Sequence, residues 1–201
     1  MANTTQRVGI FSGTFDPVHK GHIVFALDAA EKANLDKVYF APEVKPRRKS
    51  NVSHFAHRIS MLKLATKPHA KLEVLELPDS QFSPVKTTAR LKKMFPGDKL
   101  FLILGSDLIV DLPNWPEHQG MLGHMGVIAG VRAHSDTAEV LQIINSFEKP
   151  LIEFHVIQSG QPHLSSRQVR RAIEAGNAHE GLLTSVQRYI SENWLYCSPS
   201  S

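Results

Sequence analysis

The chain has 201 residues, 42% of them hydrophobic, a formal net charge of +4 and a single cysteine. That length suits one α/β domain with a proper core, and the lone Cys197 excludes an internal disulfide or a cysteine-cluster zinc site. No apolar run approaches the roughly 20 residues that span a bilayer, and residues 1–6 lack the apolar stretch of a signal peptide, so a cytoplasmic location is the default expectation.

Runs with strand character alternate with runs of helical period. Residues 7–11 read as a first strand and 23–33 as a helix with Ile23, Leu27 and Ala30 on its buried face. Residues 37–41 are a second strand, followed by a polar, proline-bearing loop over 42–53. Phe55, Ile59, Leu62 and Ala65 form a helical stripe. A strand is expected at 71–77 and a helix at 87–95, stopped by Pro96-Gly97. The continuous apolar run 100–104 is what a central parallel strand covered on both faces requires. Residues 125–131 and 152–157 add strands, 138–147 a helix, and two helices, 166–175 and 185–193, close the chain. Neither a repeat nor a linker divides it. The alternation predicts a doubly wound parallel sheet in a single domain over 1–201, with the helices from about 165 onward packed on it. Such sheets bind ligands beyond the carboxyl ends of their strands, which places Ser12-Gly13 and Gly105-Ser106-Asp107 at one crevice.

Chemistry concentrates in Gly13-Thr14-Phe15-Asp16-Pro17-Val18-His19-Lys20-Gly21-His22. Strand, glycine-containing turn and helix start is a phosphate-binding geometry, because a helix N-terminus leaves backbone N–H groups unpaired and carries partial positive charge. Gly13 permits the tight turn. His19 and His22, three apart, share a helix face and form a donor cluster suited to a polyphosphate. A second helix start lies at Leu164-Ser165-Ser166-Arg167-Gln168-Val169-Arg170, where Ser165 and Gln168 fit a capping box. Its two hydroxyls and Arg170 suit the far end of the same phosphate chain. The basic run Lys45-Pro46-Arg47-Arg48-Lys49 has no interleaved aromatic residue, so nucleic acid is not an expected partner. The pI near 9.2 fits an anionic substrate. No H-E-x-x-H or similar ligand spacing occurs, no metal ligand is named, and no Ser-His-Asp order can be defended.

The first of these segments resembles the (T/G)-F-D-P-x-H-x-G-H signature of the nucleotidylyltransferases, and Leu164–Arg170 resembles their I-S-S-T-x-I-R motif, with Arg167 where threonine is usual. Residues 101–107 resemble F-I-x-G-x-D, 112–115 resemble L-P-x-W, 57–62 resemble H-R-x-x-M-L, and 186–196 resemble V-x-x-Y-I-x-x-N-x-L-Y. Together these are most similar to the bacterial nicotinate-mononucleotide adenylyltransferases. The resemblance implies a Rossmann-like fold and adenylyl transfer from ATP to nicotinate mononucleotide, with magnesium arriving on ATP. It implies ATP contacts from Gly13, Thr14, Phe15, His19, His22, Gly105, Asp107, Ser165, Ser166 and Arg170, with His19, His22 and Arg170 acting in catalysis. It implies mononucleotide contacts from Lys49, Thr88, Asp107, Trp115 and Arg132. The family's S-Y-T-x-x-T segment, which reads the nicotinate carboxylate, is here Ser83-Pro84-Val85-Lys86-Thr87-Thr88. Tyrosine has become proline, which donates no N–H, so the acceptor is left open between acid and amide mononucleotides and another phosphate such as phosphopantetheine. A nucleotide-binding regulator that has lost turnover is the alternative of a different class. Whether copies of the chain assemble is also left open.

Overall fold

The structure, a computed structural model, describes residues 4–47, 49–121, 123–131, 134–148, 151–160, 163–177 and 180–197. Six strands form one sheet: β1 (Arg7–Gly13), β2 (Lys37–Pro42), β3 (Leu72–Val74), β4 (Lys99–Gly105), β5 (Gly126–Val131) and β6 (Phe154–Gln158). Their spatial order is β3-β2-β1-β4-β5-β6, and all pair in parallel. This is the doubly wound order, with its switch point between β1 and β4.

The central strands are buried on both faces. In β4, Phe101 and Ile103 enter one core and Leu100, Leu102 and Leu104 the other. The first core is covered by α1 (Lys20–Lys32), α2 (Phe55–Thr66), α6 (Ser166–Glu174) and α7 (Thr184–Glu192), which contribute Ala26, Met61, Val169 and Ile190 among others. The second lies under α3 (Lys86–Met94), α4 (Ser106–Asp111) and α5 (His134–Asn145), through Leu91, Ile109 and Val140.

The differences from the sequence reading are local. Strand β3 is shorter than the expected 71–77, and β6 starts at Phe154, leaving Ile152 60% exposed. Both are edge strands with one neighbour each, so pairing sustains less of the run. The short α4 and the two 3₁₀ turns at Leu112–Asn114 and His118–Gly120 carry too few residues for a periodic pattern. No helix among the described residues is long and apolar enough to cross a membrane.

Candidate active site

β1 and β4 end side by side, and a crevice of about 570 Å³ opens above them. Of the residues expected there, Gly13, Thr14, Phe15, His19, His22, Lys49, Gly105, Asp107, Trp115, Ser165, Ser166 and Arg170 all line it. Thr88 does not, and Arg132, like Arg48 of the basic run, lies outside the described residues.

The turn after β1 is built around Phe15. Its backbone is left-handed, φ 53°, and its ring is buried. A Cβ on Gly13 would lie 2.9 Å from that ring, so the turn needs glycine there. The Asp16-Pro17 peptide is cis. His19 then caps α1 in an extended conformation, and its backbone N–H donates to His22 Nδ1 at 3.2 Å. With Nδ1 accepting, the His22 ring proton sits on Nε2 as a donor. The two imidazoles stack at 3.7 Å between centroids, and the Phe15 ring meets His22 edge-on at 5.1 Å. One backbone N–H at the start of α1 is already committed: Lys20 N–H donates to the Gly181 carbonyl at 2.8 Å.

The start of α6 reaches the same turn. Ser165 Oγ accepts from Gln168 N–H at 3.3 Å, as the capping pattern predicts, although its own hydroxyl donates to Gln168 Oε1 at 2.8 Å. Ser166 donates to the Pro17 carbonyl at 2.9 Å, and Arg170 donates to the Asp16 carbonyl at 2.5 Å. Two segments about 150 residues apart in the chain thus share one wall of one crevice.

Lys49 closes the side over Thr14, whose hydroxyl accepts from Nζ at 2.9 Å. Burial lowers the Lys49 pKa, an effect that Asp107 opposes and Arg170 reinforces. A partly desolvated ammonium beside a second cation gains when an anion arrives, which suits it to a phosphate.

Sequence reasoning missed the framework beneath these groups. Asp16 is 3% exposed; its carboxylate accepts from Tyr196 Oη at 2.6 Å and from Ser53 N–H at 3.3 Å, and sits 3.9 Å from Arg170. Arg58, 1% exposed, donates to the carbonyls of Thr14, Glu43, Val44 and Ser53 at 2.8–3.1 Å. It binds the β1 turn, the loop after β2 and the start of α2 into one piece. The matching patterns at 57–62 and 186–196 marked these positions without revealing what they hold.

Thr88, expected at the mononucleotide, lies away from the crevice wall. Thr88 is 2% exposed on the core side of α3, and its hydroxyl donates to Met125 Sδ at 3.6 Å. It lies one turn before the buried Leu91, so the helix face that packs Leu91 carries Thr88 inward too. Thr87 is fully buried, and its hydroxyl accepts from Ser83 N–H at 2.9 Å. Trp115 lines the crevice but is 4% exposed, with Nε1–H donating to Asp111 at 3.2 Å.

The model of the cytidylyltransferase-like family matches residues 10–172. The nicotinate-nucleotide adenylyltransferase of Bacillus subtilis is 34% identical over 95% of this chain and 98% of its own. The chain belongs to this family. The probable nicotinate-nucleotide adenylyltransferase of Dictyoglomus thermophilum is 33% identical over 94% of this chain and 99% of its own. Among solved structures, Plasmodium falciparum nicotinic acid mononucleotide adenylyltransferase complexed with NaAD shares the fold, with a TM-score of 0.76 at 20% identity over 95% and 97% of the two chains. The cytidylyltransferase-like match begins within β1 and ends within α6, so it spans both segments that share the crevice wall.

Proposed function

We propose that the chain transfers the adenylyl group of ATP to nicotinate mononucleotide, giving deamido-NAD and pyrophosphate. The observation that carries this reading is the meeting of the His19–His22 pair with the Ser166–Arg170 start of α6 over one turn. The relatives' named activity points the same way.

In this reaction the mononucleotide's phosphate oxygen attacks the α-phosphorus of ATP, and the bond to the β-phosphate oxygen breaks. The attacking group is already an anion, so no protein nucleophile or base is required. The protein's task is alignment and stabilisation of charge that moves onto the leaving pyrophosphate. His22 Nε2–H and His19 supply donors on one side, and Ser166 and Arg170 hold the β/γ end. Thr14 and Phe15 add backbone contacts, Lys49 takes the acceptor phosphate, and Gly105 and Asp107 lie by the riboses. A Cβ on Gly105 would meet Asp107 Oδ1 at 2.7 Å, so glycine lets this carboxylate fold back over the end of β4.

Magnesium carried by ATP would neutralise phosphate charge. Of the three crevice carboxylates, Asp16 is engaged by Tyr196 and Ser53, Glu43 by Phe82 and Arg47, and Asp107 is the third. Among the described residues no three His, Cys, Asp or Glu side chains gather as a cage. This donor set fits an ion held by phosphate oxygens and water.

The test is pyrophosphate release with ATP across nicotinate mononucleotide, nicotinamide mononucleotide and phosphopantetheine. Release that is fastest with nicotinate mononucleotide is expected. Tight ATP binding with no release from any acceptor would point instead to a nucleotide-binding regulator.

A further inference from the structure

The segment aligned with the family's carboxylate reader does not face the crevice here. Thr87 and Thr88 are buried on the core side of α3, and Pro84 has no N–H to offer. A different group occupies the wall by Trp115. The guanidinium carbon of Arg47 lies 4.5 Å from the Trp115 ring centroid, and both residues line the crevice. Nη1 donates to Glu43 Oε1 at 3.2 Å, and Nη2 donates to the Phe82 carbonyl. Glu43 in turn accepts from Phe82 N–H at 3.0 Å. An aromatic face and two hydrogen bonds seat a long cationic side chain at the cavity wall. Among the described residues its other N–H groups have no acceptor.

We infer that Arg47 is a specificity-determining residue that pairs with a carboxylate on the aromatic ring of the acceptor. This deepens the proposed adenylyl transfer and rests on it. A planar ring that enters against Trp115 meets the guanidinium already on that face. If the ring carries a carboxylate, the guanidinium gains a charge-assisted, fork-shaped partner as it shifts aside. Glu43 keeps its bond from Phe82 N–H when Arg47 turns. A carboxamide offers one neutral acceptor and no counter-charge, so the same displacement goes uncompensated. A hydrogen bond between charged groups is stronger than a neutral one by an amount that corresponds to a preference of roughly 2–30-fold for the acid.

The experiment compares kcat and KM for nicotinate and nicotinamide mononucleotides in the wild type, Arg47→Ala and Arg47→Lys, with calorimetric titration of each mononucleotide. Arg47→Ala is expected to lower the acid-to-amide ratio of kcat/KM by roughly 2–30-fold, and to weaken binding of the acid by a similar factor. Arg47→Lys keeps the charge without the fork and is expected to fall between. An equal loss for both mononucleotides, or an unchanged ratio, overturns the assignment and leaves adenylyl transfer intact. A wild type that releases pyrophosphate with neither mononucleotide overturns the transfer reading and this inference together.

Discussion

At the scale of single residues, the crevice presents a donor whose direction is fixed before substrate arrives. The His19 backbone N–H occupies Nδ1 of His22, which commits Nε2 to donating. His22→Ala removes that donor and is expected to lower kcat for pyrophosphate release by about 10²–10³, the effect of losing one oxyanion donor. A near-wild-type rate with a well-folded variant would remove His22 from the mechanism. The histidine pair was legible in the sequence because its partners are local: a cap residue and the third residue of its helix are close neighbours. Asp16 was not legible as a hub, although it stands in the same ten residues. Its partners Ser53, Arg170 and Tyr196 lie 37, 154 and 180 positions away, and no spacing rule reaches so far.

At the scale of elements, α6, α7 and the tail hold the turn that carries the histidines. Tyr189 bonds His57 across α7 and α2 at 3.0 Å, and Tyr196 bonds Asp16. Burial, and then the Asp16 charge, raises the Tyr196 pKa above its ordinary value. The folded state therefore keeps the phenol proton at a pH where the unfolded chain releases it. The resulting stabilisation is complete below the ordinary phenol pKa and fades as the pH climbs past it. Tyr196→Phe is expected to cost about 1.5–3 kcal/mol at neutral pH, and to show less alkaline loss than the wild type. Urea titrations near neutrality and above pH 10 check this, and parallel losses in both proteins would contradict it. Most helices and strands were readable from periodicity. The short α4 and the turns around Trp115 were not, since a few residues carry no period. The inward turn of Thr88 was not readable, because a resemblance aligns residues without saying which face of α3 they take.

At the scale of the whole molecule, the two ends of the sheet do different work. The carboxyl end carries the crevice. At the amino end Glu153 bridges Arg7, at 2.6 and 3.2 Å, and His155, at 2.6 Å. The Arg7 hydrogen bonds hold the Glu153 carboxyl down to about 2, against the opposing effect of burial and with help from His155. A depressed carboxylate stabilises the fold above its unfolded pKa and loses that contribution as the pH falls toward 2. The pair is partly exposed, so the effect is modest, about 1 kcal/mol or less. Glu153→Gln is expected to flatten the acid limb of stability below about pH 4.5 while pyrophosphate release at neutral pH is unchanged. Circular dichroism melts across that range check it, and an acid limb as steep as the wild type's would refute the bridge's role.

A doubly wound parallel sheet could be anticipated from strand–helix alternation, and with it a crevice where the first and the central strand end; the strand order itself could not. A crystal structure with a non-hydrolysable ATP analogue tests that convergence most directly. The triphosphate is predicted to touch the His19–His22 pair and the Ser166–Arg170 helix start at once. Phosphates bound at only one of these, or outside the crevice, would contradict it.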